Sequence, residues 1–106
     1  MATFHYWYMF RVADVGDDNK RRQSIYDAII AQNPNGARWA EPTSSGLIES
    51  ELTVGPLVQR LTRGLNGAVD LFIASDLHAP QATVYFGKVE YPAVLKHFLP
   101  QAVKLT

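Results

Sequence analysis

The first predicted element of the chain is a strand over residues 3–12, TFHYWYMFRV. The stretch holds six aromatic or methionine side chains and neither Gly nor Pro. Successive side chains of a strand point to opposite faces of its sheet. One face would be formed by Phe4, Tyr6, Tyr8 and Phe10, and the other by Thr3, His5, Trp7, Met9 and Arg11. Because both faces are largely apolar, the pattern predicts a central strand that needs a cover on each side.

Three later segments have the spacing of amphipathic helices. The first is expected from about residue 20 to residue 32, where Ile25, Ala28 and Ile29 share one side and the sequence Asn-Pro-Asn-Gly follows. The second follows Thr53 as N-cap and buries a Val- and Leu-rich side up to Leu65. A last short helix is expected to begin at Pro92 and to end before residue 100.

Between the helices, short alternating segments predict further strands. Residues 37–41 and 47–50 flank a Pro/Ser/Gly turn and form a predicted hairpin, and residues 69–74 and 82–86 alternate as a fourth and a fifth strand. The order is βαββαβ with an appended strand or helix. We therefore expect one α+β domain over residues 1–106, a ferredoxin-like βαββαβ sandwich. Its antiparallel sheet carries two main helices on one face and leaves the other face open.

Composition narrows the function classes. Ten basic and ten acidic side chains give a net charge of zero, so the chain lacks the positive field of a non-specific nucleic-acid binder. Cysteine is absent, which excludes disulfides, thiolate zinc sites and thiol catalysis. No stretch approaches a membrane span of about 18 apolar residues, and the N-terminus lacks the pattern of a signal peptide. We expect a soluble, cytoplasmic protein that does not bind membranes.

One segment resembles a known family. The run from Gly36-Ala37-Arg38-Trp39 through Ser44 and Ser45 to Leu52-Thr53 is similar to a motif of small SinR-like proteins, relatives of CRISPR-associated protein two and of the virulence-associated protein D toxins. Residues 24–29 resemble the first helix of that family and residues 71–73 its fourth strand. The resemblance implies a ferredoxin-like fold and a homodimer formed through the open face or an edge of the sheet.

The chain departs from this family at the end of the first strand. The family commonly has Tyr-Asp there, and the Asp of each protomer is thought to hold a divalent metal for phosphodiester hydrolysis. Here Tyr8 is followed by Met9. Because a thioether does not bind a hard, oxygen-seeking ion such as magnesium, we expect no catalytic residue, no metal and no cofactor at this position.

Other candidate chemistry has simpler explanations. Asp14, Asp17 and Asp18 have no calcium-loop spacing and suit helix capping. The three histidines are separated along the chain and show no metal-ligand spacing. Ser44 and Ser45 lack the glycines of a nucleophile elbow and suit a turn. Trp39, next to the helix-ending glycine, is expected to anchor the core.

Two function classes remain. The first is a non-catalytic dimeric protein with a structural or regulatory role, acting through protein or local nucleic-acid contacts. Its expected interface residues are His5, Trp7, Tyr8 and Met9, and its possible nucleic-acid contacts are Arg21, Arg22, Arg38 and Lys88. The second is a toxin-like, metal-dependent ribonuclease or deoxyribonuclease that uses residues such as Asp14 or Tyr8. The first is favoured because the family Asp is absent and the net charge is zero.

Overall fold

The computed structural model describes residues 2–105, which form one sheet of six strands and three helices. The elements are β1 Phe4–Arg11, α1 Asp18–Gln32, β2 Arg38–Trp39, β3 Ser45–Ser50, α2 Val54–Leu61, β4 Leu71–Asp76, β5 Ala79–Gly87, α3 Pro92–Phe98 and β6 Val103–Lys104. The strand order is β2-β3-β1-β4-β5-β6, with β1 in the interior of the sheet. The α+β class is thus confirmed, and β1 has neighbours on both sides as its composition predicted.

The sheet differs from the predicted one in count and in direction. It has six strands, and β6 runs parallel to β5, so the sheet is mixed rather than antiparallel. The reason is the connection: α3 lies between β5 and β6, and a crossover through a helix returns the chain in its original direction. The predicted loop at residues 75–80 is also shorter, because β4 continues to Asp76 and β5 already begins at Ala79.

The core lies between α1, α2 and one face of the sheet. The side chains of Tyr6, Tyr8 and Phe10 on β1 are buried in it, as the alternation predicted. The helices contribute Ile25 and Ile29 from α1, and Leu57, Val58 and Leu61 from α2. Strand β4 adds Phe72 and Ala74, which stand opposite Phe10 and Tyr8 in the β1–β4 pairing. One face of β1 is therefore covered by the chain's own two main helices.

Contacts between aromatic rings join β1, β4 and α1 within this core. The rings of Tyr8, Phe10 and Phe72 lie within 8° of parallel, with centroids 5.9 to 6.3 Å apart. Tyr26 of α1 meets Phe10 edge to face, and its hydroxyl donates a hydrogen bond to the Thr43 carbonyl. Offset and edge-on aromatic pairs are favourable beyond the area they bury, so these contacts help fix α1 on the sheet.

A buried ion pair fastens the loop between β1 and α1 to the start of β4. Asp70 is fully buried and accepts hydrogen bonds from Arg21 Nε at 3.0 Å and from the amides of Ala13 and Asn66, each at 2.9 Å. Arg21 also donates to the carbonyls of Ala13 and Val15. A buried charge is tolerated when it is paired and fully hydrogen-bonded, which both groups are here.

Trp39 does not anchor the core, so that prediction is wrong. Its side chain is 47% exposed, and its indole Nε1 donates to Glu41 at the surface. The reason is its place on β2, a two-residue edge strand whose residues are both exposed. The packing role expected of Trp39 is taken by the aromatic residues of β1.

Tyr6 makes the stability of the fold sensitive to alkaline pH. Its hydroxyl donates to the Leu52 carbonyl at 2.8 Å, and burial, assisted by the charge of Asp76, raises its pKa from 10.0 to about 12. Below pH 10 the phenol is protonated in both the folded and the unfolded chain. Between pH 10 and 12 the unfolded chain loses the proton first, so stability falls as pH rises.

We therefore expect the melting temperature to drop between pH 10 and pH 12 and the drop to be shallower in Tyr6→Phe. Circular dichroism melts across this range measure the effect. Tyr91→Phe is the matched control, because Tyr91 is 71% exposed. If the melting temperature fell with equal slope in Tyr6→Phe and in the parent chain, Tyr6 would not be the group that makes stability depend on alkaline pH.

Within residues 2–105, no helix is both long enough and apolar enough to cross a bilayer.

Candidate functional site

The sheet surface opposite α1 and α2, here named the open face, carries the second set of β1 side chains. His5, Trp7 and Met9 lie on it, and the β1–β3 pairing sets Trp7 opposite Leu47. Met9 is 48% exposed and Leu47 is 40% exposed. Side chains of this kind are ordinary when single, but a contiguous apolar group on one face usually marks an interaction surface.

Helix α3 covers part of the open face, which the sequence did not predict. Leu95 and Leu99 line a cleft of about 260 Å³ together with Met9, Leu71 and Ile73, all of which belong to the open-face side of the sheet. Ile73 is buried as a result. The chain itself thus covers the β4 and β5 side of the open face and leaves the β1, β3 and β2 side uncovered.

The outer side of α3 is apolar as well. Three largely exposed side chains with helical spacing form it: Tyr91 at the N-cap (71% exposed), Val94 (54%) and Phe98 (73%). They lie next to Leu95 on the helix surface. This set is named the α3 stripe. The same surface of the molecule therefore carries two neighbouring apolar features without a cover, the uncovered floor of the open face and the α3 stripe.

A cluster of His5, Glu49 and His78, named the histidine cluster, lies at one end of the open face. His5 Nε2 is 3.1 Å from Glu49 Oε2, and His5 Nδ1 is 3.4 Å from His78 Nε2. The rings of the two histidines lie 5.6 Å apart at 60° to each other. Glu49 stands directly opposite His5 in the β1–β3 pairing, so the sheet register itself holds these two side chains together.

The main chain positions every member of the histidine cluster. The Ala37 amide donates to Glu49 Oε1 at 2.9 Å, and this bond, followed by the one to His5, lowers the pKa of Glu49. The Leu77 amide donates to the His5 carbonyl and the His78 amide to Asp76 Oδ1, each at 2.8 Å. Glu49 is thus a carboxylate at neutral pH, and the turn that carries His78 is fastened to the strand that carries His5.

Beside the histidine cluster is a shallow depression of about 280 Å³. His5, Arg38 and Glu49 form its polar side, and its apolar side is lined by Trp39, Leu47 and Leu77. Within the part of the chain that the structure describes, no three His, Cys, Asp or Glu side chains are arranged as a metal-binding group.

The sequence missed this cluster because its members are far apart along the chain. His5 and His78 are separated by 73 positions and His5 and Glu49 by 44. The only available signal was the placement of His5 on the open face of β1. Finding the partners would have required the register of β1 against β3, which no hairpin turn sets because the two strands are not consecutive.

The four expected nucleic-acid residues do not form one surface. Arg21 is buried in its ion pair with Asp70 and is unavailable to a phosphate, which corrects the expectation for this residue. Arg22 is half-buried on α1, where it donates to Ser44 Oγ at 3.3 Å. Arg38 is exposed on β2, whereas Lys88 follows β5. Three strands lie between β2 and β5, which separates these two strands by about 19 Å.

The four expected interface residues divide between the two faces of β1. Tyr8 is buried among the core aromatics and its side chain cannot contact a partner, so it is removed from the expected interface. His5, Trp7 and Met9 lie on the open face, half-buried or exposed. The alternation of a strand explains the correction, because Tyr8 necessarily points away from its two neighbours.

Comparison with known proteins adds no assignment. No family model matches this sequence, and neither a curated protein nor a solved structure matches it.

Proposed function

We propose that this chain is a non-catalytic protein that forms a homodimer through its open face and acts as a structural or regulatory subunit. The observation that carries the proposal is the pair of uncovered apolar features on that one surface. A two-fold rotation places the same surface of both copies in contact. In such an arrangement the α3 stripe of each copy can pack on the uncovered floor of the other, around Met9 and Leu47.

Charge supports a second copy as the occupant. The chain has a net charge of zero, so two copies do not repel each other over long distances. Polar groups at the margin of the open face already have partners within the chain, Glu49 with His5 at 3.1 Å and Arg11 with Glu90 at 3.5 Å. A surface whose charged groups are paired in this way can meet its own copy without leaving a charge unpaired.

The available area indicates a weak dimer. The uncovered strands β1, β3 and β2 have 8, 6 and 2 residues. With a spacing of about 4.8 Å and a rise of about 3.3 Å per residue they offer roughly 250 Å² of flat surface. The α3 stripe brings this to roughly 450 Å² per copy, or about 900 Å² in the dimer, which is the size of a weak interface. We therefore expect the dimer to form at micromolar rather than nanomolar concentration.

The fold resemblance supports the same proposal. Counting along the sheet from β4, the first four strands follow the order β4-β1-β3-β2, all antiparallel, and α1 and α2 share the core on one face. This order supports the proposal that β1 to β4 with α1 and α2 have a ferredoxin-like arrangement, to which β5, α3 and β6 are added. For the SinR-like proteins that the sequence resembles, such an arrangement implies pairing through the sheet, and any nucleic-acid contact would be local, near the exposed Arg38.

The dimer is tested by sedimentation velocity from low to high micromolar concentration. The parent chain is expected to shift from monomer to dimer over this range, and Leu47→Glu to stay monomeric because it sets a charge against the partner's apolar stripe. The matched control is Ile30→Glu, since Ile30 is 51% exposed on α1, away from the open face. A monomeric parent chain at high micromolar concentration, or a dimer lost only in Ile30→Glu, would refute the proposal.

The same samples separate the proposal from the alternative, a metal-dependent nuclease. Incubated with RNA or DNA, the parent chain should cleave no faster with magnesium or manganese than with a chelator. We expect this because Met9 occupies the position at which the resembling family commonly has Asp, and a thioether does not bind magnesium. Magnesium-stimulated cleavage that disappears in Asp14→Ala would favour the alternative.

A further inference from the structure

We propose that His5 and His78 form a binding site for a divalent transition-metal ion, with Glu49 orienting His5. The site lies at one end of the open face, and the proposed dimer contact around Met9 and Leu47 has to leave this end accessible. The site rests on the geometry of the histidine cluster, and its two protein ligands come from one chain. Water completes the coordination, because His5 is half-exposed and His78 is exposed at the surface.

The spacing of the two ring nitrogens also fits two ligands on one ion. Without an ion, His5 Nδ1 and His78 Nε2 form a long hydrogen bond of 3.4 Å, whereas a hydrogen bond donated by nitrogen usually spans about 2.7 to 3.2 Å. Two nitrogens bound to a tetrahedral ion at about 2.0 to 2.1 Å each stand about 3.4 Å apart. The two imidazoles are thus already at the separation that such an ion requires.

The hydrogen bonds around His5 direct the correct nitrogen toward His78. Glu49 lies 3.1 Å from His5 Nε2, where it accepts the ring proton and leaves Nδ1 with its lone pair. A carboxylate that accepts the second ring proton of a metal-binding histidine fixes the tautomer and makes the ligand more basic. Glu49 is in turn held by the Ala37 amide, so this orientation is built into the strand pairing.

The backbone also limits the entropy lost on binding. His78 occupies a two-residue turn between β4 and β5, and the turn is fixed to β1 by the bond from the Leu77 amide to the His5 carbonyl. Both ligands are therefore carried on hydrogen-bonded main chain at a set distance. A pre-organised pair of ligands costs less to order than two histidines on mobile loops.

The chemistry of the donors selects the ion. Imidazole nitrogen suits zinc, nickel and copper, whereas magnesium and calcium require oxygen ligands. We expect copper(II) to bind more tightly than nickel(II), because sites with nitrogen ligands generally have a higher affinity for copper(II). With only two protein ligands, zinc should bind more weakly than at four-ligand structural sites, and reversibly.

The test is titration of the untagged chain with zinc chloride by calorimetry, with ring nitrogen shifts recorded by NMR. We expect one ion per chain and shifts for His5 and His78 but not for His97, the third histidine, whose ring meets Phe98 edge to face in α3. Zinc affinity should fall at least about tenfold in His78→Gln and in Glu49→Gln. It should be unchanged in the matched control His97→Gln.

Two outcomes would overturn the proposal. One is the absence of any heat or ring shift at millimolar zinc. The other is an affinity that is equal in the parent chain and in His78→Gln. His78 lies exposed in a turn, so its replacement should leave the circular dichroism spectrum unchanged. Phe98→Glu, which places a charge in the α3 stripe and not in the depression beside the histidine cluster, should lose the dimer and retain full zinc affinity, which separates failure of this site from failure of the dimer.

Discussion

Replacing Asp70 with alanine is expected to lower the free energy of unfolding by about 3 to 5 kcal/mol. The Asp70 side chain is fully buried and accepts three hydrogen bonds, from Arg21 and from the amides of Ala13 and Asn66. Its removal leaves Arg21 Nε and two amide groups without their acceptor, and it takes away the buried partner of the guanidinium, which keeps only the exposed Asp17 and two backbone carbonyls. In a domain of about 100 residues the melting temperature should fall by at least about 12 °C.

The control for this prediction is Asp14→Ala. Asp14 is exposed in the loop between β1 and α1, and a surface substitution of this kind should change stability by no more than about 0.5 kcal/mol. The double variant Arg21→Met with Asp70→Leu should recover part of the loss, because it replaces both charges with apolar groups. Equal melting temperatures for Asp70→Ala and Asp14→Ala would show that the ion pair does not secure the loop.

Gly87→Ala is expected to destabilise the chain by about 3 kcal/mol or more. Gly87 has a φ of +97°, a conformation that side-chain-bearing residues rarely adopt. A Cβ at this position would also collide with the carbonyl oxygen of Asp70, which accepts the Lys88 amide at 2.8 Å. Since the obstacle is backbone, relief requires the end of β5 to move away from the start of β4.

Gly55→Ala is the control. Gly55 lies in the first turn of α2, and a Cβ there would meet no atom within 4 Å outside its two chain neighbours. Alanine is the better helix former, but a side chain before Pro56 is disfavoured in the helical region, so this variant should change stability by no more than about 0.5 kcal/mol. Thermal and urea unfolding of both glycine variants measure the contrast. If Gly87→Ala were as stable as Gly55→Ala, the predicted collision of its Cβ with the Asp70 carbonyl would be wrong.

The sequence by itself determined the elements that depend on local spacing. The two-residue period of residues 3–12 correctly separated the buried Tyr6 and Phe10 from the open-face Trp7 and Met9. The helical spacing of α1 and α2 identified the side that each buries. These features follow from bond geometry within a few residues, and a single element is enough to display them.

Only the tertiary structure decided which distant residues meet. Glu49 reaches His5 through the register of two strands that no hairpin joins, and the β4–β5 turn brings His78 to the same place. The sequence predicted Arg21 as a possible nucleic-acid contact, whereas the fold buries it beside Asp70. Trp39 looked like a core residue, but an edge strand of two residues has nothing to bury it against. Periodicity fixes the side to which a residue points, whereas its partners there depend on strand register and on the path of the whole chain.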